Sequence, residues 1–237
     1  MAKARSFGKR LLRWLGLLLA GWLVFSIGSV LLMRWVDPWT STLMLRDRSI
    51  ALFSGDKSYH FSHQWVDWPQ ISNQVKVAVI AAEDQTFAAH AGFDFTSMKS
   101  AWQHNRHGLK IRGGSTISQQ VAKNLYLWPG PSYLRKGIEA YLTVLIEVLW
   151  PKQRILEVYL NSAEFGRGVF GVEAASKRYF KKSAAKLTTA QAALLAAVLP
   201  APKRYRADNP SAYVRAKQTW IIRQMAHLGG TAALQSL

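Results

Sequence analysis

The apolar residues of this chain fall into two regimes. From Trp14 to Met33 the sequence WLGLLLAGWLVFSIGSVLLM runs for 20 residues without a charge, with Leu, Trp, Val and Phe on every helical face. About 20 apolar residues are needed to cross a ~30 Å hydrocarbon core, whereas the core of a cleaved signal is ~7–15 residues long. The stretch therefore predicts a single N-terminal transmembrane helix, residues 14–35, that stays attached; a buried soluble helix, the competing reading, would show a polar stripe. From Ile71 onward the period changes. Val75, Val79 and Ala82 follow i, i+4, i+7 spacing, and Ile138, Tyr141, Leu142, Leu145 and Leu149 repeat it. Further helices are predicted over 115–127, 152–161, 169–179, 189–199 and 211–227, interrupted by Pro151, Pro200 and Pro202. Between the regimes, residues 41–61 hold Ser54, Gly55 and Asp56 between short apolar stretches, a pattern read as a hairpin or irregular stalk. Trp65 and Trp68 beside Pro69 suit either a bilayer surface or a cover for the core. The division is thus a basic tail (1–13), a span (14–35), a juxtamembrane segment (36–70) and a mainly α domain (71–237).

Charge adds an orientation. Lys3, Arg5, Lys9, Arg10 and Arg13 precede the span and only Arg34 follows it closely, which places the N-terminus in the cytoplasm and the domain outside. All 13 acidic residues lie beyond the span, so of the formal +18 the exported part keeps +13. Such an excess favours anionic partners. Outside a cytoplasmic membrane, lipid headgroups and lipid-linked phosphates fit and nucleic acid does not. With no cysteine, disulfides, thiolate metal sites and cysteine nucleophiles are excluded. The six histidines show no zinc spacing.

Three clusters carry candidate chemistry. In E-D-Q-T-F-A-A-H-A-G-F-D, residues 83–94, Glu83 and Asp84 end an apolar helix. There the helix dipole and apolar surroundings both hinder ionisation, as a general base working near neutral pH requires. The alternative is a solvated helix end with a turn at Gly92. His90, a further candidate, is read as a satisfied structural group. In the second cluster, Arg112, Gly113 and Gly114 lead through Ser115 and Thr116 to Gln119, Gln120 and Lys123, so a helix start and a polar stripe could hold a phosphate. The Gly-Lys-Ser/Thr ending of a nucleotide loop is missing, and an ordinary loop and cap is the plain alternative. In the third, Arg135 and Lys136 precede Glu139, placed in the first turn of its helix, where a structural ion pair is the simplest reading. Ser183-Ala184-Ala185-Lys186 matches S-x-x-K, but with no K-T-G and little chain after it a transpeptidase is rejected.

The order of these clusters resembles the peptidoglycan glycosyltransferases, glycosyltransferase family 51, most closely their short monofunctional biosynthetic branch. E-D-x-x-F-x-x-H-x-G-x-D at 83–94, G-G-S-T-I-S-Q-Q at 113–120 and R-K-x-x-E at 135–139 look like three family signatures, and residues 152–161 and 168–180 match two more in order. The resemblance implies a lysozyme-like helical fold with a cleft. The activity implied is polymerisation of lipid II into β-1,4 glycan strands at the outer face of the bacterial inner membrane, with the catalytic domain periplasmic. Glu83 would be the base and Glu139 a second catalytic carboxylate orienting the donor. Lys123, Arg135 and Lys136 would meet the diphosphate, and Ser115, Thr116, Gln119 and Gln120 would contact substrate. Implied partners are lipid II, the growing glycan strand and membrane lipid, with cell-wall synthases or division proteins as further candidates. A divalent ion, Mg or Mn, is compatible with the site without being required. Pro131 stands where the family often has a phosphate-binding Arg, so that contact is in doubt. Two rival readings are a glycan-cleaving lysozyme-like enzyme and a non-catalytic anchored scaffold.

Overall fold

The computed structural model describes residues 2–106 and 114–237, so Arg112 and Gly113 lie outside the described residues. The chain divides into two compact units, 1–37 and 38–237. The first is one long helix, α1 (Ala2–Leu32), ending in a turn before Trp35. Within it Gly8–Leu32 has a mean hydropathy of 2.2, and only 11% of its most apolar window is buried. A helix with lipophilic side chains on all sides and nothing polar to turn outward suits hydrocarbon surroundings.

The second unit is mainly α, as expected from the periodicity. Its helices are α2 (Thr42–Phe53), α3 (Asn73–Glu83), α4 (Phe95–Arg106), α5 (Ile117–Tyr126), α6 (Tyr133–Leu149), α7 (Lys152–Ser162), α8 (Val172–Phe180), α9 (Thr189–Val198) and α10 (Ala212–His227). Three short strands, β1 (Ser62–His63), β2 (Glu164–Gly166) and β3 (Val169–Phe170), form a sheet in the order β1-β3-β2. In it β1 runs parallel to β3 and β2 antiparallel. Helix α3 forms the centre: Val75 through Ala81 are all buried, so it is wrapped on every side rather than along one stripe. It packs against α9, whose Ala192, Ala193, Ala196 and Ala197 allow close approach, and against α10. Helix α5 is held between α6 and α7. Each fully buried Val, Leu or Ile of this core contributes about 1.5–3 kcal/mol relative to exposure.

Several helix starts follow from their caps. Ser72, Ser132 and Ser211 each accept a backbone N–H from the first turn of their helix. Thr116 with Gln119, and Thr188 with Gln191, make reciprocal capping boxes.

Two expectations need correction, and one helix was not expected. Residues 41–61 are not a hairpin or an irregular stalk: most of them form α2, capped by Ser41, with Met44 and Asp47 turned inward. A buried Asp breaks the apolar stripe that would have announced the helix; here it accepts from the Tyr59 hydroxyl at 3.0 Å and from the Lys203 ammonium. Residues 169–179 are not one helix. Val169 and Phe170 are strand, and Gly171, at φ +81° and pressed against the Asn161 carbonyl, separates them from α8. Helix α4 has no counterpart among the predicted elements: Phe95, Met98 and Trp102 are exposed, and among its described side chains Ala101 is the one that packs inward. Trp65 and Trp68 are half-buried on the protein, with Arg154 over the first ring and the Lys76 ammonium 3.9 Å from the centre of the second.

Candidate active site

Glu83 is the last residue of α3, half-buried where the helix stops. Its neighbour Asp84 turns inward and accepts two bonds: from the Ile117 N–H at 2.9 Å and from His90 Nε2 at 2.9 Å. His90 Nδ1 in turn accepts from the Gly92 N–H at 3.1 Å, so this histidine is a structural group. The bond to Ile117 fixes the start of α5 beside the end of α3. Lys152 donates to the His90 carbonyl and to Glu147, which also accepts from Ser118. Helices α5, α6 and α7 are thereby tied to the loop after Glu83.

One turn into α5, Gln120 donates its side-chain amide to Glu83 Oε2 at 2.9 Å and accepts from the Tyr159 hydroxyl at 3.2 Å. Tyr159 is fully buried, and burial together with the charges of Glu83 and Asp84 raises its phenol well above the ordinary range, which keeps it a hydrogen-bond donor. Three residues further, Lys123 is exposed toward a cavity. Loss of water lowers its pKa below the lysine norm; Glu139 and Glu83 oppose that shift, and Arg135 and Lys136 add to it. Gln120, Lys123 and Arg135 therefore share one electrostatic neighbourhood with both carboxylates.

Glu139 is buried and lies in the second turn of α6, not the first, because the helix begins at Tyr133. Its oxygens are occupied: Arg135 reaches Oε2 at 2.9 Å and Lys136 reaches Oε1 at 2.5 Å. Arg135 also donates Nε to the Gly130 carbonyl. The buried stripe of α6 runs through Glu139, Leu142, Thr143 and Ile146, one position away from the apolar series in the sequence, because this face serves the site as well as the core.

Two cavities flank these groups. One, of about 470 Å³, is lined by Gln120, Lys123, Arg135, Tyr159, Glu164 and Arg46, among others. The second, of about 360 Å³, is lined by Glu83, Asp84, Thr86, Asp94, Ser97 and Ser115, among others. The Glu83–Gln120 hydrogen bond joins the wall of one to the wall of the other.

The predicted substrate contacts separate accordingly. Gln120, Lys123 and Arg135 face the first cavity and Ser115 the second. Lys136, half-exposed, is outside the first cavity's lining. Thr116 and Gln119 are buried and bonded to each other across the cap, and Thr116 also donates to the Gly92 carbonyl at 2.7 Å. Both hold the helix start, and Thr116 also lines the second cavity beside Ser115. Pro131 lines the first cavity without charge, and Arg46 from α2 supplies a cation there that no motif announced. Tyr159 was equally hidden, inside a segment that reads as fold support. Among the described residues no group of three or more His, Asp or Glu could hold a metal ion. Glu139 has both oxygens committed to cations.

A helical body with a central acidic group, a basic cavity and a ladder of five ordered motifs defines a transglycosylase. The chain belongs to that family: the Transglycosylase family model matches residues 50–226. It is similar to the biosynthetic peptidoglycan transglycosylase of Cronobacter sakazakii, 54% identical over 222 residues, 94% of this chain and 89% of that one. The protein of the same name from Pasteurella multocida is 56% identical over 207 residues, 87% and 84% of the two chains. That from Xanthomonas axonopodis pv. citri is 49% identical over 231 residues, 96% and 94%. The mainly α, lysozyme-like fold expected of the family is the one observed.

Proposed function

We propose that this protein polymerises lipid II into β-1,4-linked glycan strands and releases undecaprenyl pyrophosphate. The observation that carries the reading is the pairing of Glu83 with a cation-lined cavity through Gln120. The acceptor sugar's 4-hydroxyl lies in the cavity that Glu83 lines, and the Glu83 carboxylate takes its proton. The oxygen forms a bond to the anomeric carbon of the donor while the bond from that carbon to the diphosphate oxygen breaks, and the electron pair leaves with the diphosphate. A single displacement turns an α-linked donor into a β-linked product. Diphosphate needs no protonation to depart when its charge is met, so Lys123, Arg135 and Arg46 take the place of the acid that a glycosidase uses. Glu139 holds Arg135 and Lys136 in place and acts on the donor side through them.

The N-terminal apolar helix anchors the enzyme by a single pass, with the basic tail in the cytoplasm and the catalytic unit in the periplasm, against the inner membrane where the lipid-linked substrate resides. Exposed Phe95, Trp102, Trp128, Tyr133 and Leu134 on the catalytic unit support work at a lipid surface. Incubation of the full chain with lipid II, followed by gel separation of the products, tests the reading. Glycan polymer is expected. No polymer under conditions that support a related enzyme overturns it, and fragments released from preformed glycan would instead support a hydrolase.

A further inference from the structure

Glu164 begins strand β2 and lines the same 470 Å³ cavity as Lys123 and Arg135. Its side chain is 9% exposed. Its Oε1 atom is buried without a hydrogen-bond partner, one of two such side-chain atoms among the described residues. The Lys203 ammonium stands 3.6 Å away, beyond hydrogen-bond reach, and is already engaged by Asp47. Oε1 thus has an ion-pair contact but no hydrogen bond, and a buried acceptor left without one costs about 1–3 kcal/mol. The cations of the cavity do not need it either, since Glu139 and the Gly130 carbonyl serve Arg135.

A carboxyl in that place suits a neutral hydrogen-bond donor rather than a phosphate. Next to the diphosphate, a donor substrate carries a sugar with hydroxyl and amide N–H groups. We propose that Glu164 is a donor-binding residue whose carboxyl accepts a hydrogen bond from a hydroxyl or amide N–H on the sugar attached to the diphosphate. The proposal requires the carboxyl to turn so that Oε1, buried in the free protein, meets the sugar in the cavity. The proposal rests on the glycosyl-transfer reading above and adds the recognition of the sugar to it. Burial pushes Glu164 up to about 7, with Asp47 adding to the shift and Lys203 and the Gly168 N–H opposing it. The tyrosines Tyr59 and Tyr179 also face it electrostatically. A carboxyl that is partly neutral at working pH repels a nearby diphosphate less and still offers a carbonyl oxygen.

The test measures affinity of the full chain in detergent, in a Glu83→Gln background that prevents turnover. Two ligands are compared: lipid II lacking the acceptor 4-hydroxyl, which can act only as donor, and undecaprenyl pyrophosphate, which has no sugar. Glu164→Ala is expected to weaken the first roughly tenfold and to leave the second within about twofold, while Glu164→Gln, which keeps an acceptor oxygen, restores most of the loss. Equal losses for both ligands, or no loss for either, overturn the proposal. Failure of undecaprenyl pyrophosphate to bind when Glu164 is intact would instead remove the diphosphate reading beneath it.

Discussion

Gln120 donates its side-chain amide to the Glu83 carboxylate at 2.9 Å. That bond makes the base at the end of α3 and the cation one turn further along α5 parts of a single rigid unit. The amide also orients one lone pair of the carboxylate, leaving the other oxygen to meet the acceptor.

Replacing Glu83 by Gln keeps the size and the folded state but removes the proton acceptor. Polymerisation should fall at least ~10²-fold, the ordinary effect of losing a general base, with the melting temperature unchanged or raised. Turnover of lipid II by the purified variant, beside its circular dichroism melt, checks both halves. Polymerisation at the wild-type rate would remove Glu83 from the reaction.

Tyr159→Phe deletes only the hydroxyl that Gln120 accepts at 3.2 Å. Gln120 is then free to rotate, and the Glu83 carboxylate loses a fixed partner. One hydrogen bond of about 0.5–1.5 kcal/mol corresponds to a roughly two- to tenfold lower kcat, with KM for lipid II less altered because the ring that lines the first cavity is kept and only the hydroxyl is lost. A change confined to KM would contradict the relay.

The first motif shows why a sequence exposes a site better than it exposes roles. Its letters were all visible, and Glu83, Asp84 and Asp94 all line the second cavity, yet they do different work. Asp84 and His90 bond inward, Phe87 is core, and Asp94 caps α4 through the Ser97 N–H. A carboxylate that binds backbone and one that awaits substrate are the same letter, and only the third dimension separates them. The central helix and the capped helices were legible because burial and caps leave local patterns. Helix α2 was not, because its inward face carries Asp47, a residue explained by Tyr59 and Lys203, 12 and 156 positions away. Arg46 entered the site with it.

Gly92 sits at φ +87°, and a methyl group there would come within 2.8 Å of Thr143 Cγ2. Thr143 is buried and donates to the Glu139 carbonyl, so it cannot easily yield. Gly92→Ala therefore combines an unfavourable backbone conformation with overpacking, each about 1–3 kcal/mol, and the loop that carries His90 should loosen. A melting temperature several degrees below wild type is expected in a thermal scan, and an unchanged value would mean that the loop is not under this constraint.

Lys123 has a pKa below the lysine norm because it loses water at the cavity wall. In the proposed reaction its charge meets the diphosphate, so donor binding should weaken as pH rises toward that lowered value, sooner than a lysine of ordinary pKa would allow. Lys123→Arg keeps its charge throughout this range and should extend the alkaline limb of kcat/KM for lipid II to higher pH. Lys123→Ala should abolish the limb and raise KM for the donor. Coincident alkaline limbs for wild type and Lys123→Arg would show that another group titrates.

Glu164 makes an opposite, testable mark on stability. Its folded-state value of about 7 stands above the 4.5 of an ordinary glutamate. Between these values the folded protein keeps a proton that the unfolded chain gives up, so the native state binds more protons and stability falls as pH rises. Below about 4.5 the carboxyl is protonated in both states and adds no penalty; above about 7 it is ionised in both and the full penalty remains. Glu164→Gln removes the charge and the penalty together. The variant should melt higher than wild type at pH 8, by about 2–4 °C for each kcal/mol recovered, and the gap should close as the buffer is taken down to pH 5. Melting curves of the two proteins across that range decide the matter. A constant gap would mean that Glu164 does not change its charge there, whereas a gap that closes shows a carboxyl kept beside the cavity at the expense of fold stability.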